Sequence, residues 1–135
     1  AALIYELVDH ADFYEISSEG KFGLIKSSGK DVLAEDIEKA KNVRSGGRAQ
    51  GIVRVFATDR YIYALWVDIE MDRERRKITF NDVQVRIYGW DGERVKSLSL
   101  EKPASNIIVS GDDSKLYTYN MEEDFEKVYV YDTGL

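Results

Sequence analysis

Short stretches in which apolar and polar residues alternate recur along this chain, separated by turns that contain glycine or aspartate. Such stretches are typical of β-strands that bury one face. Residues 53–66, VRVFATDRYIYALW, and residues 107–120, IIVSGDDSKLYTYN, each read as two strands joined by a turn. The second segment overlays the first without a gap at a shift of 54 residues, which places Asp59 on Asp113 and Tyr63 on Tyr117. This self-similarity predicts a repeated β-hairpin.

A further strand that ends in a turn follows each hairpin, VRIYGWDGE at residues 85–93 and VYVYDTG at residues 128–134. The linker before this strand is long in one copy, residues 70–82, and short in the other, residues 122–126. We interpret the longer linker as a loop inserted into a common frame.

A more divergent copy opens the chain. Residues 13–26, FYEISSEGKFGLIK, overlay the segment VRIYGWDGERVKSL with Gly20 on Gly92, and LIYELV before them supplies another strand. Each glycine falls where a tight hairpin needs a positive φ. The pattern therefore predicts ten strands in three blade-like repeats, at about residues 3–30, 51–100 and 105–135.

The connector between the first and second repeats, residues 31–50, has a different pattern. Ile37 and Ala40 stand at helical spacing among charged residues, which predicts one or two turns of surface helix within residues 34–41. A glycine pair follows the helix, flanked by the candidate ligand-binding residues Arg44, Arg48 and Gln50. A glycine loop can bring backbone amides and a guanidinium together around an anion. The alternative is an ordinary mobile loop.

These elements favour an all-β fold of antiparallel β-propeller-like blades, a partial propeller in a single domain of 135 residues. The chain supplies two and a half to three blades, whereas rings of four to eight close. Open strand edges invite pairing with another chain. We therefore expect a homo-oligomer or a fragment of a larger propeller.

The runs YIYALW at 61–66, IYGWDGERVKSLSL at 87–100, KLYTYN at 115–120 and VYVYDTG at 128–134 resemble the C-terminal blades of the TolB-like six-bladed propeller family. The resemblance covers residues 51–135 well and residues 1–30 loosely. Members are bacterial, commonly predicted as exported lipoproteins of the periplasm or outer membrane, and mostly without an assigned activity. The resemblance thus implies a fold more than a function, and this chain is too short for six blades.

Charge and composition narrow the function classes. The net charge is −6, from 25 acidic and 19 basic residues, which argues against a nucleic-acid partner. The longest basic run, residues 73–77, is interrupted by Glu74 and is interpreted as a solvated loop. Cysteine is absent, so disulfides and thiolate sites are excluded. No stretch approaches the ~20 apolar residues of a membrane helix, and the first residues lack the features of a signal peptide, although one could have been removed.

Residue types that carry catalysis are few. His10 is the one histidine, and the stretch of residues 9–12 around it is predicted to be a hairpin turn rather than part of a catalytic triad. Acidic residues form two clusters at or near turns, at residues 112–113 and 122–124. The sequence around them does not predict a buried acid of the kind that catalysis needs. The spacing of the acids in each cluster also differs from that of a calcium-binding loop. These candidates are Asp112, Asp113, Glu122, Glu123 and Asp124. We therefore predict no catalytic residue, metal or cofactor.

Two tryptophans complete the candidates. Trp66 ends an aromatic strand and is predicted to lie in the core, whereas Trp90 opens a Trp-Asp-Gly turn and is an equal candidate for packing and for ligand binding.

The sequence as a whole favours a non-enzymatic binding or scaffold module that recognises a protein, a small molecule or a carbohydrate. The alternative is part of a carbohydrate-active or other hydrolytic propeller enzyme whose site lies mostly outside this chain.

Overall fold

A computed structural model describes residues 1–42, 46–121 and 126–135. Within them, three antiparallel sheets and one helix form, so the predicted all-β fold is confirmed. The first sheet contains β1 (Ala2–Ile4), β2 (His10–Ile16) and β3 (Phe22–Gly29), and helix α1 (Ala34–Asn42) follows. The central sheet contains β4 (Gly47–Ala57), β5 (Tyr61–Asp72), β6 (Lys77–Gly89) and β7 (Arg94–Ser99). The third sheet contains β8 (Asn106–Val109), β9 (Lys115–Tyr119) and β10 (Tyr129–Asp132).

The central sheet is packed between the other two, because neighbouring residues of β5 point to opposite faces. Ile62 belongs to the core shared with the first sheet, together with Phe13 and Ile52. Tyr63 belongs to the core shared with the third sheet, together with Leu116. The sheets do not form a closed barrel, and their arrangement is compatible with part of a propeller. Among the described residues, no helix is long and apolar enough to cross a membrane.

Two glycine turns match as the sequence predicts. The N–H of Gly20 donates to the carbonyl oxygen of Ser17, and that of Gly92 donates to Gly89, at 2.9 and 3.0 Å. Both glycines have a positive φ, 76° and 80°. A side chain in this conformation is strained, which explains the glycine at the same turn position in two different sheets.

The β4–β5 and β8–β9 hairpins, whose sequences overlay without a gap, differ in the length of their turns. In the central sheet Ala57 is paired with Ile62, and in the third sheet Val109 is paired with Leu116. The second strands therefore correspond at a shift of 54 residues but the first strands at 52, because the third-sheet turn is two residues longer. The overlay without a gap is wrong for the first strand. A shift of two leaves each side chain on its predicted face.

The predicted inserted loop at residues 70–82 is also wrong. β5 and β6 continue their pairing to Asp72 and Lys77, so only residues 73–76 form a turn. Ile78 and Phe80 alternate with polar residues and pack on the core beside the third sheet, which extends the hairpin. The basic run, as predicted, is exposed at its tip.

His10 begins strand β2 and does not lie in a turn, contrary to the prediction for residues 9–12. Its Nδ1 lies 2.6 Å from the carbonyl oxygen of Lys30 and its Nε2 lies 3.0 Å from Asp12 Oδ1. Ser27 Oγ donates to the same carboxylate oxygen at 2.5 Å. The carboxylate thus separates the serine from the histidine, which is not the order of a Ser-His-Asp relay.

Asp113 joins the third sheet to the central sheet. Its carboxylate accepts hydrogen bonds from Thr58 Oγ1 at 2.7 Å, Tyr63 Oη at 2.8 Å and Arg60 Nε at 2.8 Å. Its own carbonyl oxygen accepts from Thr133 Oγ1 at 2.5 Å. Asp113 is 1% exposed. The prediction that no acid is buried near this turn is therefore wrong, because all the partners of the carboxylate come from the other sheet.

The network keeps Asp113 ionised. Burial alone would raise the pKa of Asp113, but the hydrogen bonds from Thr58, Tyr63 and Arg60 lower it below the ordinary value. Burial and the bond to Asp113 together raise the pKa of Tyr63, which stays protonated and remains a donor. Three side chains of the central sheet therefore satisfy one buried charge.

We expect Asp113→Asn to lower the free energy of unfolding by roughly 1–3 kcal/mol, because the amide cannot accept all three hydrogen bonds. Asparagine tolerates the left-handed conformation of this residue, φ 63°, so the loss reports the carboxylate rather than backbone strain. Urea unfolding monitored by circular dichroism measures it. The control is Asp59→Asn in the exposed turn of the central sheet. Equal stability of both variants would contradict the role of Asp113.

Candidate functional site

A groove lies between α1 and the start of the central sheet. It contains two adjoining cavities of about 350 and 440 Å³. We call it the helix groove, and both cavities are lined by Leu7, Val8 and Ala40. Further lining comes from Asp9, Lys30, Asp36, Lys39, Arg48, Ala49 and Gln50 in the first cavity. Tyr5, Glu6, Ile37 and Lys41 line the second cavity.

The floor of the groove forms because the chain before β2 lies along β4. Leu7 N–H donates to the carbonyl oxygen of Ile52 at 2.8 Å, and Ile52 N–H donates to Val8 at 3.3 Å. These bonds satisfy the outward N–H and carbonyl of Ile52 on the edge strand of the central sheet. A Cβ on Gly51 would lie 2.3 Å from the backbone of Leu7 and Val8, so only glycine permits the approach.

Helix α1 forms the opposite wall. Acidic residues occupy its first turn and lysines its last turn, which suits the helix dipole. Asp36 accepts from the backbone N–H of Leu33 at 3.2 Å. No residue of α1 is buried, and Ile37, its apolar residue toward the second cavity, is 39% exposed. Helix α1 therefore lies over the two cavities, and none of its side chains is buried in them.

Arg48 and Gln50 meet at a buried carboxylate on the floor of the central sheet. Arg48 Nε donates to Asp68 Oδ1 at 2.8 Å, its second nitrogen bonds Oδ2, and Gln50 Nε2 donates to Oδ2 at 2.9 Å. The side chain of Asp68 is 7% exposed and that of Arg48 60%. The carboxylate therefore anchors a guanidinium that is otherwise open to solvent beside the cavity.

This pairing perturbs both groups. The hydrogen bond from Arg48 is the main reason that the pKa of Asp68 is lowered to about 2. The same bond raises the pKa of Arg48. Asp68 is therefore an anion and Arg48 a cation throughout the physiological range.

The other charged side chains of the first cavity are two acids and two lysines. Both of its acids are engaged, Asp9 with Arg86 and Asp36 with the backbone of α1. Among the described residues, the Lys30 ammonium has no ion pair, and Lys39 has only a solvated partner, Glu35, at 4.0 Å.

The predicted ligand-binding residues do not all lie together. Arg48 and Gln50 lie in the groove, and Arg44 lies outside the described residues. Trp90 follows Gly89, which is paired with Tyr61, whereas Arg48 is paired with Glu70. At about 3.3 Å per residue along β5, Trp90 is ~30 Å from Arg48. One small ligand cannot touch both.

The tryptophans differ as the sequence suggests. Trp66 is buried, with the guanidinium of Arg86 4.6 Å from its ring centre. Trp90 is 42% exposed, and its Nε1 donates to the carbonyl oxygen of Thr58 at 3.2 Å. The indole of Trp90 therefore has a structural partner and is partly exposed to solvent.

The candidate acids of the third sheet have structural partners. Asp112 caps its own turn, and the hydrogen bond from Ser110 is the main reason that its pKa is lowered to about 2. Asp113 is the buried joint between sheets, whereas residues 122–124 lie outside the described part. Within the described ranges, no group of three or more acidic or histidine side chains could hold a metal ion.

Three residues of the groove, Asp68, Lys30 and Lys39, were missed by the sequence prediction. Asp68 carried a signal, since it is a lone acid inside the otherwise apolar run of residues 62–69. The lysines carried none, because they resemble any solvated surface lysine.

No protein-family model matches this chain, and no curated protein or solved structure is significantly similar to it. The resemblance to TolB-like propellers therefore stays a prediction.

We expect Asp68→Asn to destabilise the protein by roughly 1–2 kcal/mol at pH 7, an estimate reduced for the solvent exposure of Arg48. The folded-state pKa lies below the ordinary value of 3.8. The stabilisation is therefore complete above about pH 5 and declines as the pH falls to about 2. Urea unfolding at several pH values measures the difference from the unaltered protein.

The control is Asp82→Asn, the residue paired with Asp68 on β6, which accepts from Gln84 Nε2 at 2.6 Å and has no arginine partner among the described residues. A stability difference for Asp68→Asn that stays constant down to pH 2 would contradict the ion pair.

Proposed function

We propose that this chain is a non-enzymatic binding module of β-propeller type that takes a small anionic ligand in the helix groove. The ligand class is a small molecule with one or more carboxylate or phosphate groups. The single observation that carries the proposal is Arg48, which two hydrogen bonds to Asp68 orient at a cavity of about 350 Å³ while its side chain stays 60% exposed.

The proposal gains support from the preorganisation of the guanidinium. A free arginine loses side-chain entropy when it binds an anion, but two bonds to Asp68 already fix Arg48. Lys30 and Lys39 line the same cavity from two other elements. Three cationic side chains therefore line one cavity, and a cation can offer an anion a charge-assisted hydrogen bond.

The volume also fits a ligand. Ligand pockets typically measure about 300–1,000 Å³ and combine apolar walls with a few polar groups. The apolar wall here consists of Leu7, Val8, Ala40 and Ala49.

Binding is favoured over catalysis on the chemistry of the carboxylates. Asp68 and Asp113 are buried but ionised and fully engaged by donors, so neither can act as a general acid. No observation favours the hydrolytic alternative.

Titration of the ¹⁵N-labelled chain with citrate and with inorganic phosphate tests the proposal. We expect amide shifts at Leu7, Val8, Ala40 and Ala49. Arg48→Gln and Lys39→Gln should each weaken binding roughly 10-fold, since a charge-assisted hydrogen bond contributes about 1.5–3 kcal/mol. Lys39→Gln changes no buried contact, so it stays informative if Arg48→Gln lowers stability.

The matched control is Lys21→Gln, an exposed lysine in the turn between β2 and β3 that pairs with Glu19. Absence of amide shifts in the groove with either anion, or equal weakening by the control, would refute the proposal.

A further inference from the structure

Among the described residues, the outward face of the third sheet carries an exposed apolar row. Ile108, Tyr117 and Val130 form one row across β8, β9 and β10. Their neighbours in each strand, such as Leu116, point inward to the core. Ile108 and Val130 are 51% and 56% exposed. We call this surface the third-sheet face.

The outward face of the first sheet is similar. Tyr14 is paired with Leu24, and Ile16 with Phe22, on the side opposite to the buried Phe13. Leu3, Ile16, Phe22 and Leu24 are 49–67% exposed. We call this surface the first-sheet face. It lies at the other end of the stack of sheets.

One face of the central sheet corresponds to the third-sheet face and is covered by another sheet. Tyr117 corresponds to Tyr63 at the shift of 54 residues that the second strands obey, and both project away from the preceding sheet. In the central sheet this side packs on the third sheet, and Tyr63 is fully buried there. The third-sheet face is therefore equivalent to a surface that this fold buries against a further sheet.

Among the described residues, the charged side chains of the two rows have polar partners. On the first-sheet face Asp12 is bonded to His10 and Ser27, and on the third-sheet face Lys115 is paired with Asp132. These partners lower the cost of covering the two faces, because a buried charge without a partner is costly.

We propose that two copies of this chain associate head to tail, with the first-sheet face of each packed on the third-sheet face of the other. The contact joins two different faces, so it either closes into a ring or continues as a filament. Two copies supply six sheets, within the four to eight that close a propeller ring.

The available area is sufficient for this association. The six exposed apolar side chains of the two faces are Leu3, Ile16, Phe22, Leu24, Ile108 and Val130. They are 49–67% exposed, so at roughly 150–200 Å² for a fully exposed large side chain they offer on the order of 550 Å² of apolar surface per copy. Since about 55–65% of an interface is apolar, each copy would bury ~900 Å², above the ~800 Å² of a standard stable interface.

Light scattering on a sizing column at several concentrations tests the proposal. We expect twice the chain mass of 15.5 kDa. Phe22→Glu and Val130→Glu should each weaken association on the order of 100-fold, because each places an unpaired carboxylate in an apolar contact. The control is Leu33→Glu, which changes an equally exposed side chain outside both faces and should stay dimeric.

A mixture of variants distinguishes head-to-tail pairing from pairing of like faces. Phe22→Glu mixed with Val130→Lys should restore the dimer, because one interface is unaltered and the other gains an opposite-charge pair. Circular dichroism verifies that each variant is folded. The proposal would be overturned by a monomer at all concentrations or by an assembly larger than a dimer. It would also be overturned if only one of the two glutamate variants dissociated the dimer, or if the mixture did not restore it.

Discussion

The carboxylate of Asp113 is the interaction on which the stacking of the third sheet depends. An isolated carboxylate is costly to bury, but three donors from the central sheet meet this one at hydrogen-bond distance. The bonds are directional, whereas the apolar contacts between the sheets are not. Burial therefore drives the two sheets together, and Asp113 selects the register in which Tyr63 and Thr58 keep their partners.

A second buried acid, Asp68, has a similar role on the other side of the central sheet. It orients Arg48 and Gln50 on β4, where the chain before β2 covers the sheet edge and α1 leaves a space above it. The two acids differ in where their partners lie. The partners of Asp113 lie in the contact between two sheets, whereas Arg48, the partner of Asp68, is largely exposed to water. The first arrangement stabilises the fold, and the second presents a cation to a cavity.

Both outer sheets also leave apolar faces open while the central sheet leaves none. Each sheet has two faces to cover, so a stack of three has two unpaired faces at its ends. The helix groove is lined by the chain before β2, Lys30, α1 and β4, and none of the residues that define the end faces lines it. Ligand binding and self-association can therefore be tested with separate variants.

The sequence by itself determined the ten strands, the helix, the matching glycine turns and the core position of Trp66, because alternation and turn chemistry are local. It also indicated Arg48 and Gln50, through the glycine pair beside them. It did not predict the register of the third-sheet hairpin, the extension of β5 and β6, or the burial of Asp68 and Asp113. Only the tertiary structure decided these, because Thr58, Arg60 and Tyr63 lie about 50 residues from the acid they bind. A buried charge depends on which distant donors the packing of the sheets brings to it.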